Sequence, residues 1–229
     1  YNLDMKQYVL KSLALSLTFT LTLSLGYVLI EPQFTQAASA NDTVVVTLNV
    51  DAGISITSPA DTSMSNSLGV SVNVAVATTT WNIKTNSGLG YAMTVAASTN
   101  PAMKSGSLYV DDYSTTTMPS TWSVASGAAK FGFTATGTDV STATWGTGNY
   151  CNGSATSTVN TTKKYYGFHT TATTTSTRAS TTTPSGIDTT ICYAVEQNGM
   201  YIGSGVYTAT ITATATRNWI SGSRPTRPT

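Results

Sequence analysis

Apolar and polar residues alternate with a period of two along much of this chain, and that pattern constrains the fold more than any other feature. The strictest example is residues 205–216, where threonines alternate with an apolar set: Tyr207, Ala209, Ile211, Ala213 and Ala215. Successive side chains of a β-strand point to opposite faces, so this alternation predicts strands with one buried face. The abundance of threonine and valine favours the same structure.

Turn-forming residues separate many such segments, which is typical of an all-β domain. The segments predicted as strands are 43–50, 54–56, 70–76, 80–85, 91–95, 121–124, 130–134, 165–168, 189–195 and 205–216. This spacing predicts an antiparallel β-sandwich, either Ig-like or jelly-roll-like. We further predict that the strands around the glycine-containing turn 86–90 form a hairpin.

The remaining segments are expected to be connections. Residues 99–120 contain Pro, Gly and Asn, and the threonine-rich run 170–183 joins two predicted strands. Residues 136–162 are rich in Gly, Thr and Asn, which predicts a long loop insertion. The segments 121–124 and 130–134, on either side of a short turn, are expected to pair.

Charge is sparse and balanced, which limits the class of partner. The chain has 11 Lys and Arg against 10 Asp and Glu, and charged residues make up 9% of it. This balance gives no electrostatic footprint for nucleic acid or for anionic lipid. Because 40% of the residues are hydrophobic, a packed core is expected rather than a disordered chain.

The first forty residues have the pattern of a secretory signal peptide. Lys6 and Lys11 supply the positive start, residues 13–30 the apolar region, and the small residues Ala38 and Ala40 a cleavage site. We expect cleavage to leave Asn41 as the first residue. The alternative is an uncleaved helix, since about 18 apolar residues can just span a bilayer.

These features divide the chain into three parts. Residues 1–40 are predicted to be a signal peptide or membrane-anchor helix, and residues 41–216 a single β-sandwich domain. Residues 217–229 are polar and interrupted by proline, and we expect this tail to be disordered. The predicted location is secreted or at the cell surface, with membrane attachment only if the first segment stays uncleaved.

A set of short tags resembles a known kind of surface protein. The tags are Trp-Asn-Ile-Lys-Thr-Asn-Ser-Gly, Tyr-Ala-Met-Thr-Val, Ser-Thr-Trp-Ser-Val, Phe-Gly-Phe and a closing Gly-Val-Tyr-Thr-Ala-Thr-Ile-Thr-Ala-Thr. Together with the export signal, they resemble the secreted Thr/Ser-rich β-sandwich surface proteins of candidate-phyla-radiation bacteria. More distantly, the chain is similar to the WxL-type cell-surface domains. The resemblance implies a cell-envelope or adhesion role and supplies no catalytic residues.

The chain has two cysteines, Cys151 and Cys192, and both follow the predicted cleavage site. An even number of cysteines in an oxidising compartment predicts one disulfide. Zinc binding is the alternative use, but two thiols and the single histidine make an incomplete ligand set.

Catalytic candidates are few. His169 is the single histidine, so a Ser-His-Asp triad would have to include it, and we expect it simply to end a strand. A hydrolase with paired carboxylates would draw on Asp111, Asp112, Asp139, Asp188 and Glu196. Asp111 and Asp112 are weak Ca²⁺ candidates in a predicted loop, without the spaced ligands of a dedicated calcium loop. No cofactor or resident metal is expected.

Two further hypotheses concern single side chains. Glu196 has the residue type to promote a Lys–Asn isopeptide cross-link with Lys84 or Lys130, and the alternative is an exposed glutamate on an edge strand. Trp145, with Tyr150 nearby, is the candidate for an exposed aromatic contact with sugars. The other strand tryptophans, Trp81 and Trp122, are expected in the core.

The function that these features favour is a non-enzymatic cell-surface structural or adhesion protein, acting through strand pairing or loop contacts. Expected partners are a cell-envelope component, a glycan or like subunits, and not nucleic acid. The alternatives are a carbohydrate-binding module, a self-assembling extracellular filament subunit and a secreted hydrolase.

The predicted disulfide has a measurable consequence. The Cys151→Ser substitution should lower the free energy of unfolding by about 4 kcal/mol, because the bond would close a loop of about 40 residues in the unfolded chain. Denaturant unfolding with and without reductant measures this difference. The variant should be insensitive to reductant, and a wild-type stability that reductant does not change would contradict the disulfide.

Overall fold

The computed structural model describes residues 7–19, 43–113, 119–147 and 159–219. Contacts divide the chain into two units, Tyr1–Asn49 and Val50–Thr229. In the first unit, residues 7–19 form a helix, α1. Among the described residues, no helix is both long and apolar enough to cross a membrane. The predicted apolar segment 13–30 is described only to residue 19, and Ala38, Ala40 and Asn41 lie outside the described residues.

The second unit is built from strands, as predicted. Its described elements, in chain order, are β1 (Ile54–Ile56), β2 (Val74–Thr85), β3 (Tyr91–Ala97), β4 (Met103–Ser105), β5 (Leu108–Asp112), β6 (Ser120–Thr121), β7 (Ala128–Gly137), the short helix α2 (Thr142–Trp145), β8 (Lys164–Tyr165), β9 (Thr173–Arg178), β10 (Ile187–Asn198) and β11 (Ile211–Arg217).

Strand β10 lies inside a six-stranded sheet with the order β1-β2-β10-β7-β5-β4. It pairs antiparallel with β2 and with β7, over ten residue pairs on each side. The short pairing of β5 with β7 is parallel. A three-stranded antiparallel sheet has the order β11-β3-β9, and β6 pairs with β8. The all-β prediction is therefore confirmed.

The six-stranded and three-stranded sheets pack on one shared core. Aromatic rings fill its centre: Phe168 stacks between Phe133 and Tyr193, with centroid distances of 4.3 and 5.9 Å. Met93 and Val95 of β3 are also fully buried in this core. On β11 the odd-numbered residues pack against the core and the threonines are exposed. The alternation predicted for residues 205–216 is thus confirmed.

A second, smaller cluster covers the outer face of the six-stranded sheet. The ring of Trp122 stacks on Tyr113 with 4.4 Å between centroids and meets Tyr165 edge-on at 5.0 Å. Gly132 lies beneath these rings, and a Cβ there would stand 2.7 Å from Cβ of Tyr113 and 3.0 Å from the Trp122 ring. The glycine of Phe-Gly-Phe leaves room on the outer face, while its two phenylalanines occupy the core.

The predicted hairpin around residues 86–90 is wrong, because its two strands belong to different sheets. β2 pairs with β1 and β10, whereas β3 pairs with β11 and β9. Gly90 adopts φ 73° just before β3, packed against the backbone carbonyl of Arg178. The connection therefore crosses from one sheet to the other, which a local turn signal does not distinguish from a hairpin.

Three expected connections contain regular structure. Residues 99–120 include β4 and β5, whose Met103 and Val110 are buried in the core. The run 170–183 includes β9, on which Thr175 and Ser176 are buried. The insertion 136–162 begins with the end of β7 and with α2, and its residues 148–158 lie outside the described residues. Residues 121–124 also do not pair with 130–134, because β6 pairs with β8.

Five predicted strands are absent or shortened. Of the predicted strands 121–124, 165–168 and 205–216, only Thr121, Tyr165 and residues 211–216 lie in β6, β8 and β11. Residues 43–50 have no sheet partner among the described residues and form no strand. The prediction for 70–76 holds only from Val74, and Val70 is exposed. Alternation indicates a preference for a sheet, but a strand also needs a neighbouring chain to satisfy its backbone groups.

The contact beneath Trp122 predicts that Gly132→Ala destabilises the domain. The added methyl group collides with Tyr113 and with the Tyr166 carbonyl, so the free energy of unfolding should fall by about 1–3 kcal/mol. The matched control is Gly88→Ala, where a Cβ meets nothing within 4 Å and the change should be within about 0.5 kcal/mol. Equal denaturation midpoints for the two variants would contradict this packing.

Candidate functional site

The predicted aromatic contact at Trp145 is not exposed. Trp145 ends α2 and is 2% exposed, with its ring centroid 5.2 Å from that of Phe133. The Ser141 side chain caps this helix, which carries the ring into the core rather than out to solvent. The expected exposure of Trp145 is therefore wrong, and Tyr150 lies outside the described residues.

Of the two cysteines predicted to form a disulfide, the structure describes Cys192. Cys192 is buried at 1% exposure on β10, opposite Thr78 of β2 and Thr134 of β7. Cys151 lies outside the described residues. The Cys151–Cys192 disulfide stays a prediction.

Glu196 lies on an inner strand rather than an edge. It faces Lys130 across β10 and β7, and the indole Nε1 of Trp122 donates a hydrogen bond to its carboxylate. Lys130 Nζ is itself 3.3 Å from Oδ2 of Asp111. The cross-link hypothesis thus retains Lys130 as a neighbour of Glu196.

Lys84 cannot take part in a cross-link with Glu196. Glu196 is opposite Val74 on β2, and Lys84 lies ten residues further along that strand. At about 3.3 Å per residue the separation is about 33 Å, well beyond the reach of a lysine side chain. The hypothesis of a cross-link with Lys84 is wrong, because the continuous pairing of β10 with β2 holds Glu196 and Lys84 at opposite ends of the pair.

The weak Ca²⁺ candidates Asp111 and Asp112 do not share a site. They are consecutive on β5, not in a loop, so their side chains point to opposite faces. Asp111 is 57% exposed beside Lys130, whereas the Asp112 carboxylate accepts the N–H of Ala102 at 3.3 Å. Among the described residues, no group of three or more His, Cys, Asp or Glu is placed to hold a metal.

The other hydrolase candidates are also held apart by separate partners. Asp188 accepts a hydrogen bond from Asn82 Nδ2 at 2.7 Å. His169 packs on Tyr166, with 5.0 Å between ring centroids, and its Nε2 is buried without a hydrogen-bond partner. No serine hydroxyl of the described ranges is therefore bonded to this nitrogen, as a nucleophile–base pair requires.

Sequence reasoning missed one buried ionic network. Asp139 is 7% exposed and bridges Tyr91 and Arg178, at 2.8 Å from the phenol oxygen and 3.1 Å from Nη1. Burial and the neighbouring carboxylate raise the pKa of Tyr91 well above its ordinary value. The network joins β3, β9 and the segment after β7, which are far apart in sequence, so no local pattern indicates it.

The outer face of the three-stranded sheet is uncharged. Thr214, Thr94 and Thr174 stand side by side across β11, β3 and β9. Their neighbours on this face are also small and neutral: Ala92, Ala96, Thr177, Thr212 and Thr216. Threonine hydroxyls both donate and accept hydrogen bonds, so this threonine face can contact neutral polar partners.

The same sheet ends at β11, whose second edge has no strand beside it among the described residues. Such an edge presents unpaired N–H and C=O groups that can pair with another strand. The threonine face and this edge together are the candidate functional site. Alternation in residues 205–216 predicts the face, but not the position of β11 at the end of a sheet.

Comparisons with protein-family models, with curated proteins and with solved structures find no match to this chain.

The partly buried Asp112 predicts a pH-dependent contribution to stability. Burial raises its pKa from 3.8 to about 6, so between these values the folded state holds more protons than the unfolded state. Stability therefore falls as pH rises through this range. Asp112→Asn should remove this loss and be more stable than wild type at pH 7, with the advantage shrinking toward pH 4.

Denaturant unfolding at a series of pH values measures this difference. Asp111→Asn is the matched control, because that neighbouring carboxylate is largely exposed and should not reproduce the pH-dependent gain. The prediction would be contradicted if the free energies of unfolding of wild type and Asp112→Asn differed by the same amount at every pH.

Proposed function

We propose that this chain is an exported, non-enzymatic protein of the cell surface with a structural or adhesive role, acting through strand pairing and surface contact. The observation that carries the proposal is the three-stranded sheet, which combines the uncharged threonine face with the open edge of β11. Unpaired strand edges are interaction sites in many β-proteins.

The proposed fold is a β-sandwich, Ig-like or jelly-roll-like. Two mainly antiparallel sheets facing one aromatic core support it. In such a sandwich one sheet can be protected on both faces while the other offers its outer face to a partner. Here the six-stranded sheet carries the Trp122 cluster outside, and the three-stranded sheet carries threonines.

The chemistry of the face indicates the kind of partner. Threonine methyl groups and hydroxyls at regular strand spacing suit a neutral, hydrogen-bonding surface, such as a glycan, an envelope component or a second copy of the chain. Electrostatic steering toward a highly charged polymer has no support in residues of this face. Proposed partners are therefore neutral or weakly charged.

Export is supported by the pattern of the first forty residues. Lys6 and Lys11 precede an apolar segment, which ends before the Ala38-Ser39-Ala40 triplet. Two cysteines in the following part are consistent with an oxidising destination.

Cleavage after Ala40 tests the proposed location. In a bacterial host, wild type should appear in the medium or wall fraction with Asn41 as its first residue, identified by N-terminal sequencing. Ala40→Tyr should accumulate as the intact precursor, because the cleavage site requires small residues at alternate positions. The matched control Ser39→Tyr changes the intervening position and should be processed normally.

Recovery of intact wild-type chain in the cytoplasm would contradict export. Equal processing of the Ala40→Tyr and Ser39→Tyr variants would contradict the predicted cleavage site.

A further inference from the structure

One edge of β11 has no partner strand among the residues that the structure describes. Ser98 N–H donates to the carbonyl of Thr210, and Asn218 N–H donates to that of Gly90, so the even-numbered residues direct their backbone groups to β3. Alternate residues of a strand point these groups in opposite directions. The N–H and C=O groups of Ile211, Ala213 and Ala215 therefore point away from β3, to the side where the described residues place no strand.

The residues of this edge lack the charge, proline and bulge that normally prevent pairing. Residues 211–216 contain no charge, proline or glycine, and their register with β3 is continuous. The opposite edge of the sheet is different: β9 has a register shift beside Met93, and the N–H of Thr177 donates to Asp139 O at 3.0 Å. Natural edges are usually protected by charge, proline or a bulge, so the bare edge of β11 is suited to accept a strand.

The chain also contains a segment that has the properties of a strand but no sheet partner within the described part of the structure. Residues 43–50 are uncharged and rich in β-branched side chains. They form no strand in the structure, and their five apolar side chains are 72–89% exposed: Val44, Val45, Val46, Leu48 and Val50. Eight such residues are enough to run along the seven of β11, and the apolar side chains that share one face would lose this exposure by adding to a sheet.

We propose that residues 43–50 of one copy add as a strand to the free edge of β11 in a second copy. This inference rests on the proposed function and names its partner. Val44, Val46, Leu48 and Val50 share one face, and in the added strand that face continues the core-facing side of Ile211, Ala213 and Ala215. The segment and the edge belong to the same chain, so the contact is head-to-tail and can extend into a filament.

The position of residue 52 favours a second copy over the same chain. Arg217 Nη1 donates to the carbonyl of Ala52 at 2.9 Å, which holds the chain just after the segment at the C-terminal end of β11. From there a chain's own segment can run beside β11 only in the parallel direction. A second copy can enter antiparallel, which is the more stable pairing.

Sedimentation velocity of the purified full chain over a range of concentrations tests the proposal. Wild type should form oligomers that grow with concentration. Val46→Lys places an ammonium on the buried face of the added strand and should weaken self-association at least ~100-fold. The matched control Thr47→Lys adds the same charge on the opposite face and should assemble like wild type.

The edge is tested separately with Ala213→Pro. This substitution removes one N–H that points to the free edge, which an edge strand tolerates, and should weaken self-association about 10-fold or more. A thermal unfolding transition close to that of wild type shows that the variant is folded. An equal mixture of Val46→Lys and Ala213→Pro should form dimers that do not extend, because each variant keeps a different half of the contact.

A wild type that stays monomeric overturns the proposal, as does equal assembly of Val46→Lys and Thr47→Lys or a mixture that forms no dimer. Surface location of a monomeric wild type would overturn strand addition while leaving the proposed function standing. If the chain assembles but is found only in the cytoplasm, the proposed surface function is overturned and strand addition stands.

Discussion

The pairing of β10 along both of its edges is the constraint on which the rest of the domain depends. Its register with β2 and β7 fixes which side chains meet the core, and it sets Phe133 beside Tyr193 and Gly132 beside Ala194. The first pair builds the aromatic core and the second leaves space for the Trp122 ring. A shift by one residue would exchange these faces, so the two clusters specify the same register.

The two sheets differ in how completely they are covered. The six-stranded sheet has apolar clusters on both faces, which explains the nearly continuous buried run at the middle of β10. The three-stranded sheet is buried on one face only, and its strands alternate between core and solvent. The difference in side-chain pattern between β10 and β11 follows from this difference in covering.

Local patterns predicted the faces of strands well and their partners poorly. The alternation in residues 205–216 determines which side is buried because that depends only on the strand period. Sheet membership depends on long-range pairing, so residues 80–85 and 91–95, although separated by a turn, are in different sheets. The same holds for the candidate site: Asp139 and Arg178 are 39 residues apart, and Trp145 is buried by a core that no local pattern indicates.

Because the threonine face is uncharged, a contact made by it should depend on salt differently from a contact between charges. Ions screen contacts between charges, and their effect at ordinary salt extends over about 10 Å. A contact formed by hydroxyls, methyl groups and backbone amides contains nothing for those ions to screen. Screening would therefore not weaken it, salts that strengthen apolar burial would strengthen it, and cold would weaken it because apolar burial then contributes less.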